Sequence, residues 1–217
     1  MDKKLYILPI ILGLILIPNY AKADFIAYEP WQWKQNPSIC VNFDNQTSPY
    51  KYQVIKAIDE WKVKLNNVTQ NGKFDYTLYQ NSTKHNHTND CNVTFDLDFD
   101  LKNFPALPQD AYGYTDCNGY MCQVYIFDTI PANYLVETVK HEMGHVLGLG
   151  HRMPFTRCDL ISVVESNDIM IPQAGPFRWI ILDDLKALVE EYGTGFNGTH
   201  YFNPPHQYTI SAPPQCV

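Results

Sequence analysis

The stretch HEMGHVLGLGH, residues 141–151, carries histidines at 141, 145 and 151, a glutamate at 142 and a glycine at 148. On a helix, His141 and His145 stand one turn apart on one face. Two imidazoles so placed hold one Zn2+ from the same side. Glu142 reaches a water at the metal rather than the metal itself, the position of a general base. A helix continuing past Leu147 would carry residue 151 away from the ion. Gly148 tolerates a positive φ, so the chain turns there and His151 returns as a third ligand. Three protein ligands leave a fourth position open for water, the catalytic pattern rather than the closed structural one. At ordinary residue frequencies, five fixed positions like these match by chance in such a chain about once in 10⁵ trials. A helix that merely displays solvated histidines is the bland alternative, and a site that binds without catalysing is another. The intact Glu142 argues against the second.

The elements that must position these residues follow from periodicity. A helix over about Tyr134–Leu147 carries the first two histidines. Tyr50–Val68 has apolar residues at Val54, Ile58, Trp61, Leu65 and Val68, one helical face, with Ser48 and Pro49 at its start. Ile181, Leu185, Leu188, Val189 and Tyr192 mark a last helix closed by Gly193. SICVNF (38–43), Phe74–Tyr79, Cys91–Asp100, Tyr112–Thr115 and QVYIFD (123–128) read as strands. In Cys91–Asp100, Val93, Phe95, Leu97 and Phe99 alternate with Thr94, Asp96, Asp98 and Asp100. The aspartate row offers hard oxygen donors that suit Ca2+, although such rows are ordinarily a solvated face. The stretch from Gly148 to about Phe177 reads as irregular. Helices and strands mixed in this way give an α+β class.

Residues 1–23 stand apart. Lys3 and Lys4 precede the apolar run 5–18, and Ala21-Lys22-Ala23 supplies a small-x-small cleavage pattern, so 1–23 reads as a secretory signal peptide. The run is short and interrupted by Pro9 and Gly13, poor for a membrane span. Residues 24–193 then form the catalytic domain, and 194–217 a Pro-rich tail packed on it. Loss of Lys3, Lys4, Lys22 and Asp2 leaves 13 basic against 22 acidic residues, a net charge of −9. That balance argues against nucleic acid and anionic membranes as partners. All six cysteines follow residue 23, and an even count in an exported chain suggests disulfides. Cys117 and Cys122, separated by the loop NGYM, are the first pair to expect; Cys40 with Cys91 and Cys158 with Cys216 are guesses that sequence alone does not choose. N-x-[ST] sites at Asn45, Asn67, Asn81, Asn86, Asn92 and Asn197 would mark exposed segments.

The motif at 141–151 resembles that of the metzincin clan of zinc peptidases, H-E-x-x-H-x-x-G-x-x-H. Asp168-Ile169-Met170-Ile171-Pro172 is similar to the clan's methionine turn, with Met170 beneath the metal and Pro172 following it. Within the clan the helix looks most like that of the matrixins, and LDDLKALVEEYG (182–193) resembles their closing helix. The resemblance covers roughly residues 30–193. It implies a zincin fold: a twisted mixed sheet of about five strands, two long helices and a C-terminal helix. No cysteine-switch propeptide and no hemopexin-like domain are recognisable in the sequence, departures from the matrixin pattern that lead us to expect a minimal single-domain relative. Two further departures matter. Arg152 stands where animal matrixins typically have serine, and the histidine and aspartate set of the matrixin structural zinc is not recognisable. His85-x-His87 is the only local candidate for a second metal and reads as a polar loop.

The expected function is therefore a secreted, monomeric zinc endopeptidase. Zn2+ activates water, Glu142 acts as general base, and His141, His145 and His151 are ligands. A protein substrate would lie extended on an edge strand, with QVYIFD as the candidate edge and IPQAGPF (171–177) as part of the specificity wall. The alternative is a secreted zinc-containing binding protein without relevant peptidase activity.

Overall fold

A computed structural model describes residues 25–29, 33–42, 50–70, 73–80, 91–118, 121–153, 167–172, 177–193, 195–196 and 207–209. The signal-like segment, the His85-x-His87 loop, Cys158 and Cys216 lie outside them, as do Asn45, Asn81, Asn86 and Asn197.

Five strands form one mixed sheet: β2 (Ser38–Asn42), β3 (Thr77–Gln80), β4 (Val93–Phe99), β5 (Gly113–Cys117) and β6 (Cys122–Phe127). Its order is β3-β2-β4-β6-β5, parallel except for β5, which runs antiparallel to β6. Three α-helices accompany it among the described residues: α1 (Lys51–Thr69), α2 (Leu135–Val146) and α3 (Leu182–Tyr192). This is an α+β arrangement.

Helix α1 buries Val54, Ile58, Trp61 and Leu65, the face its spacing predicts, while Val68 beside its C-terminus is 39% exposed. Trp61 is fully buried between helices, and its indole N–H donates to the Lys140 carbonyl of α2 at 2.9 Å. The buried Lys140 pairs with Glu60 at 2.8 Å. These contacts fix α2, and with it the two helical histidines, against α1.

In β4, Val93, Phe95 and Leu97 are buried as the alternation predicts. The opposite face is not simply solvated. Thr94 is buried, and Asp96 accepts from Asn42 Nδ2 at 2.8 Å and Gln123 Nε2 at 2.5 Å. Asp100 accepts from the Lys102 N–H in the following turn. Two disulfides brace the sheet, Cys40–Cys91 and Cys117–Cys122. Asn67 is exposed on α1, whereas Asn92 is half-buried and its carbonyl oxygen accepts from the Ser38 N–H and hydroxyl.

Three sequence expectations are corrected. QVYIFD is not an edge: β6 is hydrogen-bonded to β4 on one side and β5 on the other. The 117–122 turn closes a hairpin that lays Tyr114 opposite Tyr125, so the sheet edge passes to β5. The stretch after Gly148 is not wholly irregular either, since β7 (Leu149–Met153) is a strand. It pairs antiparallel with β1 (Phe25–Tyr28), which pairs in turn with β8 (Gln207–Thr209) of the tail. This three-stranded sheet, order β7-β1-β8, was not anticipated. Finally, the strand expected at Phe74–Tyr79 begins only at Thr77. Phe74 and Tyr76 are buried ahead of it, Phe74 packing edge-on against Phe196.

Candidate metal centre

His141 and His145 project from one face of α2, and His151 returns on β7. Their ring nitrogens converge. His141 Nε2 lies 3.1 Å from His145 Nε2 and 3.2 Å from His151 Nε2. For metal–nitrogen bonds of about 2.0–2.1 Å, a tetrahedron has edges of about 3.4 Å, close to these two spacings, and one ligand atom from each of the three imidazoles lies within 4.8 Å of the others. Among the described residues these three form the group able to hold a metal ion. The far nitrogens orient the rings. His141 Nδ1 donates to the Ile169 carbonyl at 2.6 Å and His145 Nδ1 to the Leu149 carbonyl at 2.7 Å. With the proton on Nδ1, each Nε2 lone pair is free to bind a metal.

The turn between the second and third histidines is built by long-range partners. Gly148 has φ +107°, a conformation that L side chains rarely adopt. A Cβ there would also meet the Glu191 carboxylate of α3 at 2.8 Å. The last carbonyls of α2, which a helix leaves unsatisfied, find donors in the Trp33 indole (to Val146, 2.6 Å) and the Tyr192 hydroxyl (to Leu147, 2.9 Å). The Glu29 N–H donates to the Gly148 carbonyl at 2.7 Å. Glu29 Oε1 also stands 3.3 Å from His145 Nδ1.

Met170 is fully buried against α2. A Cβ at Gly144 would collide with the Met170 sulfur, so glycine at 144 is what lets the methionine lie beneath the histidine helix. Arg152, next to His151 in the chain, has a structural task here. Its guanidinium pairs with the buried Asp168 at 2.8 Å, and its N–H donates to the Met170 carbonyl at 2.8 Å. The other Asp168 oxygen accepts from the Met170 N–H at 2.8 Å.

Glu142 is buried on α2, and its Oε2 accepts from the Thr115 hydroxyl of β5 at 2.6 Å. A Cβ at Gly113 would come within 2.7 Å of Glu142 Oε1, so glycine there allows β5 to lie close to the carboxylate. Burial pushes the Glu142 carboxyl up, against the opposing pull of His145 and the Thr115 bond. Burial, with His145 and His151 alongside, holds His141 well below the usual imidazole range. Burial first, then His145, lowers His151 to about 4. Burial also disfavours charge on His145, but the Glu29 hydrogen bond and the Glu142 and Glu29 carboxylates outweigh it and raise its pKa. At neutral pH, His141 and His151 are therefore neutral, the form that binds metal.

All three histidines and Glu142 open into a cavity of about 740 Å3. Gly113, Tyr114 and Thr115 border it on the sheet side; Ile171, Pro172 and Arg178 border it on the side of Met170. Pro172 is exposed there, while residues 173–176 of the expected wall lie outside the described residues. Sequence reading did not single out Thr115, Glu29 or Trp33, which sit far from the motif in the chain and carry no local signal. Compared with known protein families and characterised proteins, the sequence matches neither a family model nor a curated relative.

Proposed function

We propose that this chain is a zinc-dependent endopeptidase of metzincin type, acting outside the cell on protein or peptide substrates. One observation carries the reading: three imidazole nitrogens converge beside a buried glutamate, in a cavity bordered by the edge strand of a sheet. His141, His145 and His151 would hold the ion. Zinc, when bound, supplies Lewis acidity at an open position, polarising a scissile carbonyl and lowering the pKa of water there.

The chain's own residues do the rest. Glu142 takes the proton of the attacking water and delivers it to the leaving amine. Burial raises its pKa, which makes the carboxylate a stronger base. Thr115 holds Glu142 Oε2 and limits the carboxylate's rotation. An extended substrate would pair with β5, whose other side carries β6, and its side chains would enter the cavity past Ile171, Pro172 and Arg178. Export draws support from the signal-like segment 1–23 and from the disulfides Cys40–Cys91 and Cys117–Cys122. No helix of the described residues is long and apolar enough to cross a membrane.

The test is cleavage of casein by the purified mature chain, with and without a zinc chelator. Chelator-sensitive cleavage that returns on adding zinc is the expected result. A folded, zinc-loaded chain that leaves casein and a broad peptide library intact would favour the binding-protein alternative.

A further inference from the structure

Glu29 leaves the end of β1 and meets the metal centre at two points. Its backbone N–H donates to the carbonyl of Gly148, the turn glycine of the motif, at 2.7 Å. Its carboxylate Oε1 stands 3.3 Å from His145 Nδ1, with the two side chains 26% and 12% exposed. The same Nδ1 donates to the Leu149 carbonyl at 2.7 Å, so the imidazole N–H is shared between a carbonyl and a carboxylate. β1 itself pairs with β7, the strand that carries His151. One short segment thus touches the second ligand by its side chain, the turn by its backbone and the third ligand's strand by its ladder.

The geometry points to Glu29 as a positioning residue for the metal: its carboxylate orients the His145 ring and strengthens Nε2 as a donor, so zinc affinity depends on it. This rests on the zinc reading above. The physical basis is general. A carboxylate on the outer N–H of a ligating imidazole fixes its tautomer and raises its basicity, and losing such a partner costs about 10–100-fold in metal affinity. Glu29 also lines the cavity, so a direct role in substrate binding is the competing assignment.

The experiment compares wild type, Glu29→Gln and Glu29→Ala in the mature chain. Zinc affinity is read by competition with a chromophoric chelator, ligand geometry from the visible bands of the Co2+ form, and peptide KM separately. Melting of the metal-free proteins and their circular dichroism report folding, and the near-isosteric Gln variant decides if Ala does not fold. Expected are losses in zinc affinity of about tenfold for Gln and up to about 100-fold for Ala, shifted Co2+ bands, and an unchanged KM for the loaded enzyme. Zinc affinities within twofold of wild type with superimposable Co2+ bands would overturn the assignment while leaving the zinc centre intact. So would a raised KM at unchanged zinc affinity, which would make Glu29 a substrate contact. A wild-type chain that takes up no zinc would overturn this proposal and the metal reading together.

Discussion

Arg152 and Asp168 form a buried ion pair at 2.8 Å that joins the strand of the third histidine to the turn of Met170. The pair is reinforced from both sides: the Arg152 N–H reaches the Met170 carbonyl, and the Met170 N–H returns to Asp168. A residue adjacent to one candidate ligand therefore sets the height of the methionine floor.

Removing one partner of this pair leaves the other charge buried. Arg152→Ala should cost about 3–5 kcal/mol, measured by chemical denaturation of the metal-free chain. Arg152→Lys should recover only part of that, because an ammonium lacks the planar fork of the guanidinium. Equal stability of wild type and Arg152→Ala would show that the pair does not brace the turn.

Asp184 of α3 lies beside that pair. Burial first, then the Asp168 charge, raises its pKa well above the ordinary carboxyl value. A raised folded-state pKa means that the protonated form is the stabilised one. Its contribution is complete below the unfolded pKa of about 4 and is lost as pH rises through the folded value. Asp184→Asn keeps an oxygen for the Ile181 N–H, which Asp184 Oδ2 now accepts at 2.8 Å. Denaturation midpoints from pH 4 to 8 should show the variant gaining on wild type as pH rises. A constant difference across that range would contradict the assignment.

Gly148→Ala meets two obstacles, the positive φ and the Glu191 carboxylate at 2.8 Å. The strain alone is about 1–3 kcal/mol. Because the turn delivers His151, zinc affinity should fall along with the melting temperature. A variant that melts lower but binds zinc as well as wild type would separate the turn from the site.

Thr115→Val removes the hydroxyl that donates to Glu142 at 2.6 Å. That bond lowers the Glu142 pKa, so its loss raises it further. The general base must be ionised, and the acidic limb of the kcat/KM profile should therefore move to higher pH. An acidic limb that stays in place while activity drops would assign Thr115 a role other than tuning Glu142.

The helices were legible because period and burial agree: Val54, Ile58, Trp61 and Leu65 all lie in the core. The Cys117–Cys122 pair was legible from its short loop, since a hairpin of that size brings the Cα atoms within 4.1 Å. The edge strand was not. QVYIFD is the more apolar of the two hairpin arms, and edges favour the more polar arm, here GYTDC. β1 and β8 were invisible because strands of four and three residues carry too little pattern, and their partners are distant in the chain. β7 begins directly after the turn at Gly148 and its first residues belong to the glycine-containing motif, so it carries no strand pattern of its own. Glu29 reaches His145 only through that unanticipated sheet, so no local spacing could have exposed it.

The central claim is tested most directly by Glu142→Gln, with zinc content by elemental analysis and cleavage of casein measured on the same preparation. One zinc per chain is expected in both wild type and variant, with cleavage lost by about 100-fold or more in the variant alone. Cleavage surviving in a zinc-loaded Glu142→Gln chain, or no zinc in the wild type, would contradict it.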